Sequence, residues 1–445
     1  MNKVIIENFG PIKKIELEIS DVFNIVIGAQ ASGKSTLVKT IYFCRKIKDY
    51  LIEFLSNSQM VDNHSNEDYV SFIKYIRSKY MGCFGTTKHL QTFKITYFYD
   101  VFTSSYVKIT LDEKNYARFS FSLNIKNSIL NTMRSTRAVY EKMKWEADNY
   151  SLFDRYNNEI VTSTLLNREL KKEVSNIFFD PYDIIYIPAG RSILSTFSDQ
   201  LTELDVSQMD LPMQEFVRLI LNNRRIFNCK IDEFVNNYLK TVKGQINNAD
   251  VALAIKLMSA ILKGEYVCDK DGEKIFYDAD HWVKLMYSSS GQQESLWILM
   301  LIFSYLLENR KAFIILEEPE AHLFPEGQLN MVKFISLFCN STKSSVFITT
   351  HSPYVLTSFN VLMHSYKVEN NLKCGVEDKK IESKCRINPM ELGCHIISTS
   401  KEIFKFDNIK DENNFIDASY IDGVSEIINS ITDHFLDLEV KYDLQ

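Results

Sequence analysis

Gly28-Ala29-Gln30-Ala31-Ser32-Gly33-Lys34-Ser35 is the stretch from which the rest of this chain can be read. It fits the spacing Gly-x-x-x-x-Gly-Lys-Ser/Thr of a phosphate-cradling loop. Its flanks agree. Phe23-Asn24-Ile25-Val26-Ile27 reads as a buried strand running into Gly28, and a helix is expected from about Gly33 to Leu55. The glycines let the backbone curl until successive N–H groups face a phosphate, and the helix N-terminus adds its dipole. Lys34 would reach the β- and γ-phosphates, and the Ser35 hydroxyl would hold Mg²⁺. Gly28, Ala31, Ser32, Gly33 and Thr36 would complete the cradle. ATP and Mg²⁺ are the expected cofactors.

Three further motifs lie downstream. Phe313-Ile314-Ile315-Leu316-Glu317-Glu318 is an apolar run closing on two carboxylates. A buried strand that ends this way puts its acids at the C-terminal edge of a parallel sheet, where the first loop also sits. Glu317 is assigned to the metal, and Glu318 to the base that polarises the attacking water. Ser288-Ser289-Ser290-Gly291-Gln292-Gln293-Glu294 opens a helix running to about Asn309, and small hydroxyl residues with a glycine at a helix start can make an anion site. Taken alone that segment is an ordinary N-cap. Ile348-Thr349-Thr350-His351-Ser352-Pro353 sets a histidine just past another strand. A lone histidine is usually structural. In this order of motifs, His351 reads as a group that bonds the γ-phosphate and reports its loss.

Composition narrows the class. The chain has 445 residues, 45% hydrophobic and 24% charged, with only 14 glycines and 8 prolines. Collagen-like and linker-rich architectures are excluded, and long helices are expected. Fifty-one basic against 57 acidic residues give a net charge of −6, which argues against an indiscriminate nucleic-acid binder. The longest apolar run, Leu296 to Leu307, is too short to span a bilayer, and Met1 to Ser20 is a charged strand pattern rather than a signal peptide. The eight cysteines are scattered without a Cys-x-x-Cys pair and read as reduced thiols, so a cytoplasmic location is expected.

The remaining pattern gives an α/β chain. Two antiparallel strands are expected around the turn Gly10-Pro11, and alternation over 91–124 indicates a small antiparallel subdomain. Residues 60–90 have no clear period. From about Ile129 to Ser175 the spacing is helical with charged faces, without the sustained heptads of a coiled coil. Ile184 to Pro188 reads as a buried strand, 200–262 as helical, and Gly264 to Phe276 as a hairpin turning at Lys270-Asp271-Gly272. Short strands and a terminal helix are expected at the end.

These motifs, in this order, resemble the ABC-type ATPases of the SMC, recombination-repair and OLD families. The resemblance covers about 1–50, 184–197 and 280–365. It implies an ABC-type head with a mixed sheet: an N-terminal part at 1–50, an inserted helical and antiparallel lid at 51–183, and a C-terminal part at 184–445. It also implies a nucleotide sandwich in which Lys34 and Glu318 of one head face the signature segment of a second. There Ser289 takes the serine place, Gly291 the second glycine place and Gln292 the glutamine. Glu317-Glu318-Pro319-Glu320-Ala321-His322-Leu323-Phe324-Pro325, Thr350-His351-Ser352-Pro353 and Tyr186-Ile187-Pro188-Ala189-Gly190-Arg191-Ser192 look like the OLD branch, with Arg191 placed near the phosphates. OLD proteins proper add a Toprim nuclease, but the residues after His351 hold no Asp-x-Asp.

The chain thus resembles stand-alone OLD-like ATPases, the ATP-binding subunits of bacterial anti-phage systems such as PARIS (AriA-like) and Septu or retron-associated (PtuA-like) proteins. That implies a homo-oligomeric ATP hydrolase acting as sensor or scaffold. It would control a separate effector, such as a nuclease, in response to a phage protein or nucleic acid, with no membrane partner. The alternative is a DNA-repair ATPase of RecF or SMC type acting directly on DNA.

Overall fold

The computed structural model describes residues 1–56, 65–149, 168–198, 205–224, 230–241, 247–372, 380–400, 403–417 and 430. Cys229, Cys374 and the expected terminal helix lie outside these residues.

The chain opens with β1 (Asn2–Phe9) and β2 (Ile12–Ile19), an antiparallel pair closed by Phe9 opposite Ile12. Gly10, in the turn, has φ +58°, which a glycine adopts without strain. β3 (Phe23–Gly28) is buried along its length, as its apolar run demands, and leads into α1 (Lys34–Ser56). Next come α2 (Ser65–Phe84), β4 (Lys94–Asp100), β5 (Ser105–Leu111), β6 (Ala117–Phe121), α3 (Leu123–Asn149) and α4 (168–177). β7 (Asp183–Ile187) returns to the centre. α5 (Ser192–Thr196), α6 (Leu211–Arg224), α7 (Ile231–Thr241) and α8 (Asn248–Leu262) follow. A three-stranded meander comes next: β8 (Glu265–Asp269), β9 (Gly272–Phe276) and β10 (Trp282–Lys284). The last elements are α9 (Ser290–Leu307), β11 (Ala312–Glu317), α10 (Pro325–Thr342), β12 (Ser345–Thr350), α11 (Pro353–Leu372), β13 (Leu392–Ser400) and β14 (Ile403–Asn408).

Two main sheets result. The central one has the order β14-β13-β3-β12-β11-β7, parallel throughout except for β14 at its edge. The second is antiparallel, in the order β2-β1-β4-β5-β6, so strands from 91–124 extend the N-terminal hairpin. The class is α/β with a mixed sheet.

The strand period of two sorts the core. Along β11, Ile314 and Leu316 face the cluster built by α6, α8, α9, α10 and α11, while Phe313 and Ile315 face α1 and the antiparallel sheet. α9 is apolar nearly all round and is correspondingly enclosed, with Leu296 to Phe303 at most 1% exposed. The aromatic stretch from Phe93 to Tyr99 is core: Phe93, Tyr97 and Tyr99 are all buried. Cys394 is buried and His395 stacks on Phe406, so this pair packs.

α1 is fastened to the entry of β7 by a buried ionic cluster. Arg45 donates from Nε and Nη2 to the two Asp180 carboxylate oxygens, each at 2.9 Å. Lys48 donates to the Asp180 carbonyl at 2.7 Å and lies 3.2 Å from its Oδ1. The Arg45 guanidinium also lies 3.6 Å from the Phe313 ring centroid. Burial raises the Asp180 pKa, but Arg45 and Lys48 outweigh it and hold the carboxyl below its ordinary value.

Candidate functional site

The parallel strands end level. Ile27 pairs with Thr350, Thr349 with Glu317, and Leu316 with Ile187, so the phosphate-loop residues, Glu318, His351 and the Pro188–Arg191 turn share one sheet edge. This is the carboxyl edge where ligands of open α/β sheets bind.

The loop is tightly seated. A side chain on Gly28 would meet the Ile397 carbonyl oxygen at 2.3 Å, and one on Gly33 would meet Ile12 Cγ1 at 2.8 Å. Gly33 has φ +109° and Ala31 φ +59°, the latter a strained value for a residue with a side chain. Lys34 Nζ donates to the carbonyls of Gly28 (2.8 Å) and Ala29 (3.0 Å). Burial lowers the Lys34 pKa, opposed by Glu318, Glu317 and Glu320. Ser32 Oγ is buried without a hydrogen-bond partner among the described residues, while Ser35 is exposed at the head of α1. Thr36 rests on Gly10, its Oγ1 and Cγ2 each 3.4 Å from where a side chain there would begin.

The two acids at the end of β11 differ. Glu317 is 5% exposed; its Oε2 accepts from the Ala189 N–H at 3.3 Å, and its Oε1 makes no hydrogen bond of good geometry among the described residues, although the buried Tyr186 hydroxyl is close enough that burial and the carboxylate together push the tyrosine pKa up. Glu318 turns outward with φ +46° and stands 3.3 Å from His351 Nε2. Glu318 and, four residues on, His322 (φ +60°) both hold the left-handed conformation, which costs a residue with a side chain on the order of 1–3 kcal/mol.

Mg²⁺ is a hard cation that takes oxygen ligands, often from one or two side chains with phosphate and water completing the shell. The uncommitted Glu317 oxygen and the exposed Ser35 hydroxyl fit that chemistry. No group of three or more His, Cys, Asp or Glu side chains that could hold a metal exists among the described residues, so a self-sufficient protein cage is not what this edge offers.

Arg191 is fully buried. Its Nη1 donates to Pro188 O (2.6 Å) and Glu317 O (2.7 Å), its Nη2 to Glu318 O (3.0 Å), and its Nε to Glu294 O (3.2 Å). The Glu294 carboxylate in turn accepts from the N–H groups of Arg191 (3.1 Å) and Ser192 (3.0 Å). Burial lowers the Arg191 pKa, countered by Glu294 first among the nearby acids. The guanidinium is thus committed to the backbone that carries Glu317 and Glu318.

Ser289 caps α9 in a reciprocal capping box: its Oγ accepts from Gln292 N at 3.4 Å, and Gln292 Oε1 accepts from Ser289 N at 3.1 Å. Gln292 also donates inward to Leu262 O at 2.7 Å, whereas Ser289 and Ser290 are exposed. Gly291 abuts the turn after Glu318, since a side chain there would lie 2.7 Å from the His322 carbonyl oxygen. Ser289 and Ser290 thus face solvent at the head of α9, while Gly291 and Gln292 are buried against the His322 turn and the end of α8.

Sequence reasoning missed Glu320 and Glu294. Glu320 is 9% exposed and accepts from Thr350 Oγ1 (2.6 Å) and His351 N (2.9 Å). Burial raises its pKa against those two hydrogen bonds. Both glutamates lie inside quoted motifs, but their partners are distant in sequence. Arg224 meets Glu273 at 3.0 Å, and Lys171 meets Asp183 at 2.7 Å.

Residues 1–356 match the family model described as AAA ATPase domain. The chain belongs to that family. Its α/β fold with a mixed sheet and edge-mounted phosphate loop is the P-loop ATPase fold that the motifs indicate. Three solved structures align along most of this AAA ATPase domain protein. An SMC head bound to the C-winged helix domain of ScpA has TM-score 0.42 and 10% identity, covering 92% of this chain and 98% of that one. The SMC head domain from Thermotoga maritima gives 0.38 and 10%, over 92% and 98%. The Smc head with an extended coiled coil bound to the C-terminal domain of ScpA, derived from Pyrococcus furiosus, gives 0.38 and 11%, over 97% and 100%. No curated protein matches. No helix of the described residues is long and apolar enough to cross a membrane.

Proposed function

We propose that this ATPase-family chain binds ATP with Mg²⁺ and hydrolyses it at a site completed by a second copy. The observation that carries the reading is the Glu318–His351 pair on adjacent strand ends, beside a phosphate loop and a buried, uncommitted Glu317 oxygen. Gly28, Ala31, Ser32, Gly33, Lys34 and Thr36 would cradle the phosphates, and Ser35 and Glu317 would hold the ion. Mg²⁺ would neutralise charge developing on the phosphates. Glu318 would take the proton from the attacking water, with His351 holding its carboxylate and meeting the γ-phosphate. Ser289, Gly291 and Gln292 would close the site of the other copy. Arg191, committed to backbone carbonyls, would act by fixing the Glu317–Glu318 turn. Turnover of ATP by the wild type and its loss in Lys34→Ala test this; a wild type that binds no nucleotide in millimolar ATP and Mg²⁺ refutes it.

The finer reading is a sensor or scaffold subunit of a bacterial anti-phage system that governs a separate effector, for instance a nuclease. It is supported by the OLD-like stretches 317–325 and 350–353. Residues 51–183 would form its lid. Phage plating on cells carrying the chain with its genomic neighbours tests it. Protection lost in Lys34→Ala supports it, and plating unchanged by the chain contradicts it.

A further inference from the structure

The turn after β11 grips His351 twice. From Glu318 a side chain reaches the imidazole, 3.3 Å from Nε2. From Glu320, two residues on, a side chain reaches the backbone of the same residue: Oε1 accepts from His351 N at 2.9 Å and from Thr350 Oγ1 at 2.6 Å. The ring and the backbone of one histidine are therefore held by two acids of one turn. That turn is internally bonded, Ala321 N to Glu318 O at 3.1 Å and Leu323 N to Glu320 O at 2.9 Å. The far side of the histidine loop is closed as well. Ser352 Oγ donates to Gln328 Oε1 at 2.6 Å, and Gln328 Nε2 donates back to Leu323 O at 2.9 Å.

A carboxylate 9% exposed is an expensive way to hold a loop, because desolvation opposes its charge. An amide N–H and a hydroxyl that both aim at one oxygen fix direction as well as distance. We propose that Glu320 is a positioning residue for the hydrolysis: it sets the Thr350–His351 strand end so that the His351 ring stands against Glu318. This rests on the ATPase reading of the site. Glu320 touches no reacting atom in this scheme; it acts through His351.

The test is a double-mutant cycle with a conservative control. Glu320→Ala lowers kcat about tenfold or more with the ATP KM within about twofold of wild type. Glu320→Gln stays within about threefold of wild-type kcat, because its amide oxygen accepts the same two donors. Adding Glu320→Ala to His351→Ala costs nothing further, since the two residues act as one unit. Thr350→Val, which keeps the shape and removes one donor, gives a partial loss. Losses that multiply, or a Gln variant as slow as Ala, overturn the proposal.

A readout independent of turnover separates this inference from the ATPase reading. Imidazole ¹⁵N signals of His351, assigned with His351→Gln, move in Glu320→Ala and stay in place in Glu320→Gln. Movement in a protein that does not hydrolyse ATP upholds the positioning and sinks the ATPase reading. An unmoved His351 signal overturns the positioning whatever the turnover.

Discussion

Two of the places where charge is buried, the Asp180 cluster and the carboxyl edge of the central sheet, are built on opposite terms. Behind the central sheet, every polar atom of the Asp180 carboxylate is matched. Oδ2 receives Arg45 Nε, and Oδ1 receives Arg45 Nη2 and the Tyr182 N–H. At the carboxyl edge, Glu317 Oε1, Glu320 Oε2 and Ser32 Oγ are buried and make no hydrogen bond of good geometry among the described residues. Buried polar groups normally find partners, and leaving one unpaired costs on the order of 1–3 kcal/mol. The Asp180 carboxylate is matched within the chain, whereas the unmatched atoms of Glu317, Glu320 and Ser32 lie at the edge where bound phosphate, metal and water would meet them; unmatched hydroxyls also occur in the core, at Tyr80 and Tyr97. Arg191 stands between these cases. It is fully matched, yet what it holds is the backbone of Glu317 and Glu318.

The contrast can be broken most directly by exchanging one group from each place. Glu318→Gln is expected to lower ATP turnover by about 10²–10⁴, the contribution of a positioned base, while leaving chemical denaturation midpoints unmoved. Asp180→Asn is expected to do the reverse, costing about 3–5 kcal/mol because Arg45 and Lys48 stay buried with less to balance them, with the ATP KM of the folded protein unchanged. If Asp180→Asn is neutral in stability, the comparison fails at its structural end.

Acid sharpens the same point. The Asp180 carboxyl is held below its ordinary value in the folded state. Its contribution is therefore fully present above the unfolded value, near ~3.9, and is lost as pH falls through the lower folded value. The stability gap between wild type and Asp180→Asn should be flat from neutral pH down to about pH 5 and shrink below it. A gap that closes near neutral pH would contradict the assignment.

A smaller effect is expected for Arg191→Lys, which keeps the charge but loses the planar fork to Pro188, Glu317 and Glu318. Each charged hydrogen bond lost costs about 1.5–3 kcal/mol, partly recovered by the ammonium, so stability and kcat should fall together. The smallest is Ser289→Ala, which removes the cap of α9 and should cost about 1 kcal/mol.

Much of the fold was legible because its signals are local. The phosphate loop, the hairpin at Gly10-Pro11, the β8–β9 hairpin and the strands ending at Glu317 and Thr350 each carry their pattern in a few consecutive residues. α2 was not legible. Its stretch Ser65–Phe84 mixes polar and apolar residues, and its buried Phe72, Ile76 and Tyr80 form a narrow stripe. The pairing of β4 with β1 could not be read either, since it joins Ile95 to Ile6 across most of the first hundred residues. The site divides in the same way. Lys34, Glu317, Glu318 and His351 stand in recognisable spacings, whereas Glu294 and Glu320 become informative only when the sheet brings Arg191 and Thr350 to them. The sequence reading of Arg191 drew on motif likeness, while its burial and carbonyl partners appear only in three dimensions.

In the proposed function, nucleotide and a second copy would complete the unmatched carboxyl edge. Mass photometry of the wild type, Lys34→Ala and Glu318→Gln, each with and without ATP and Mg²⁺, tests it most directly. A nucleotide-dependent dimer that accumulates in Glu318→Gln and is missing in Lys34→Ala is expected. An association state that ignores nucleotide in all three proteins would contradict it.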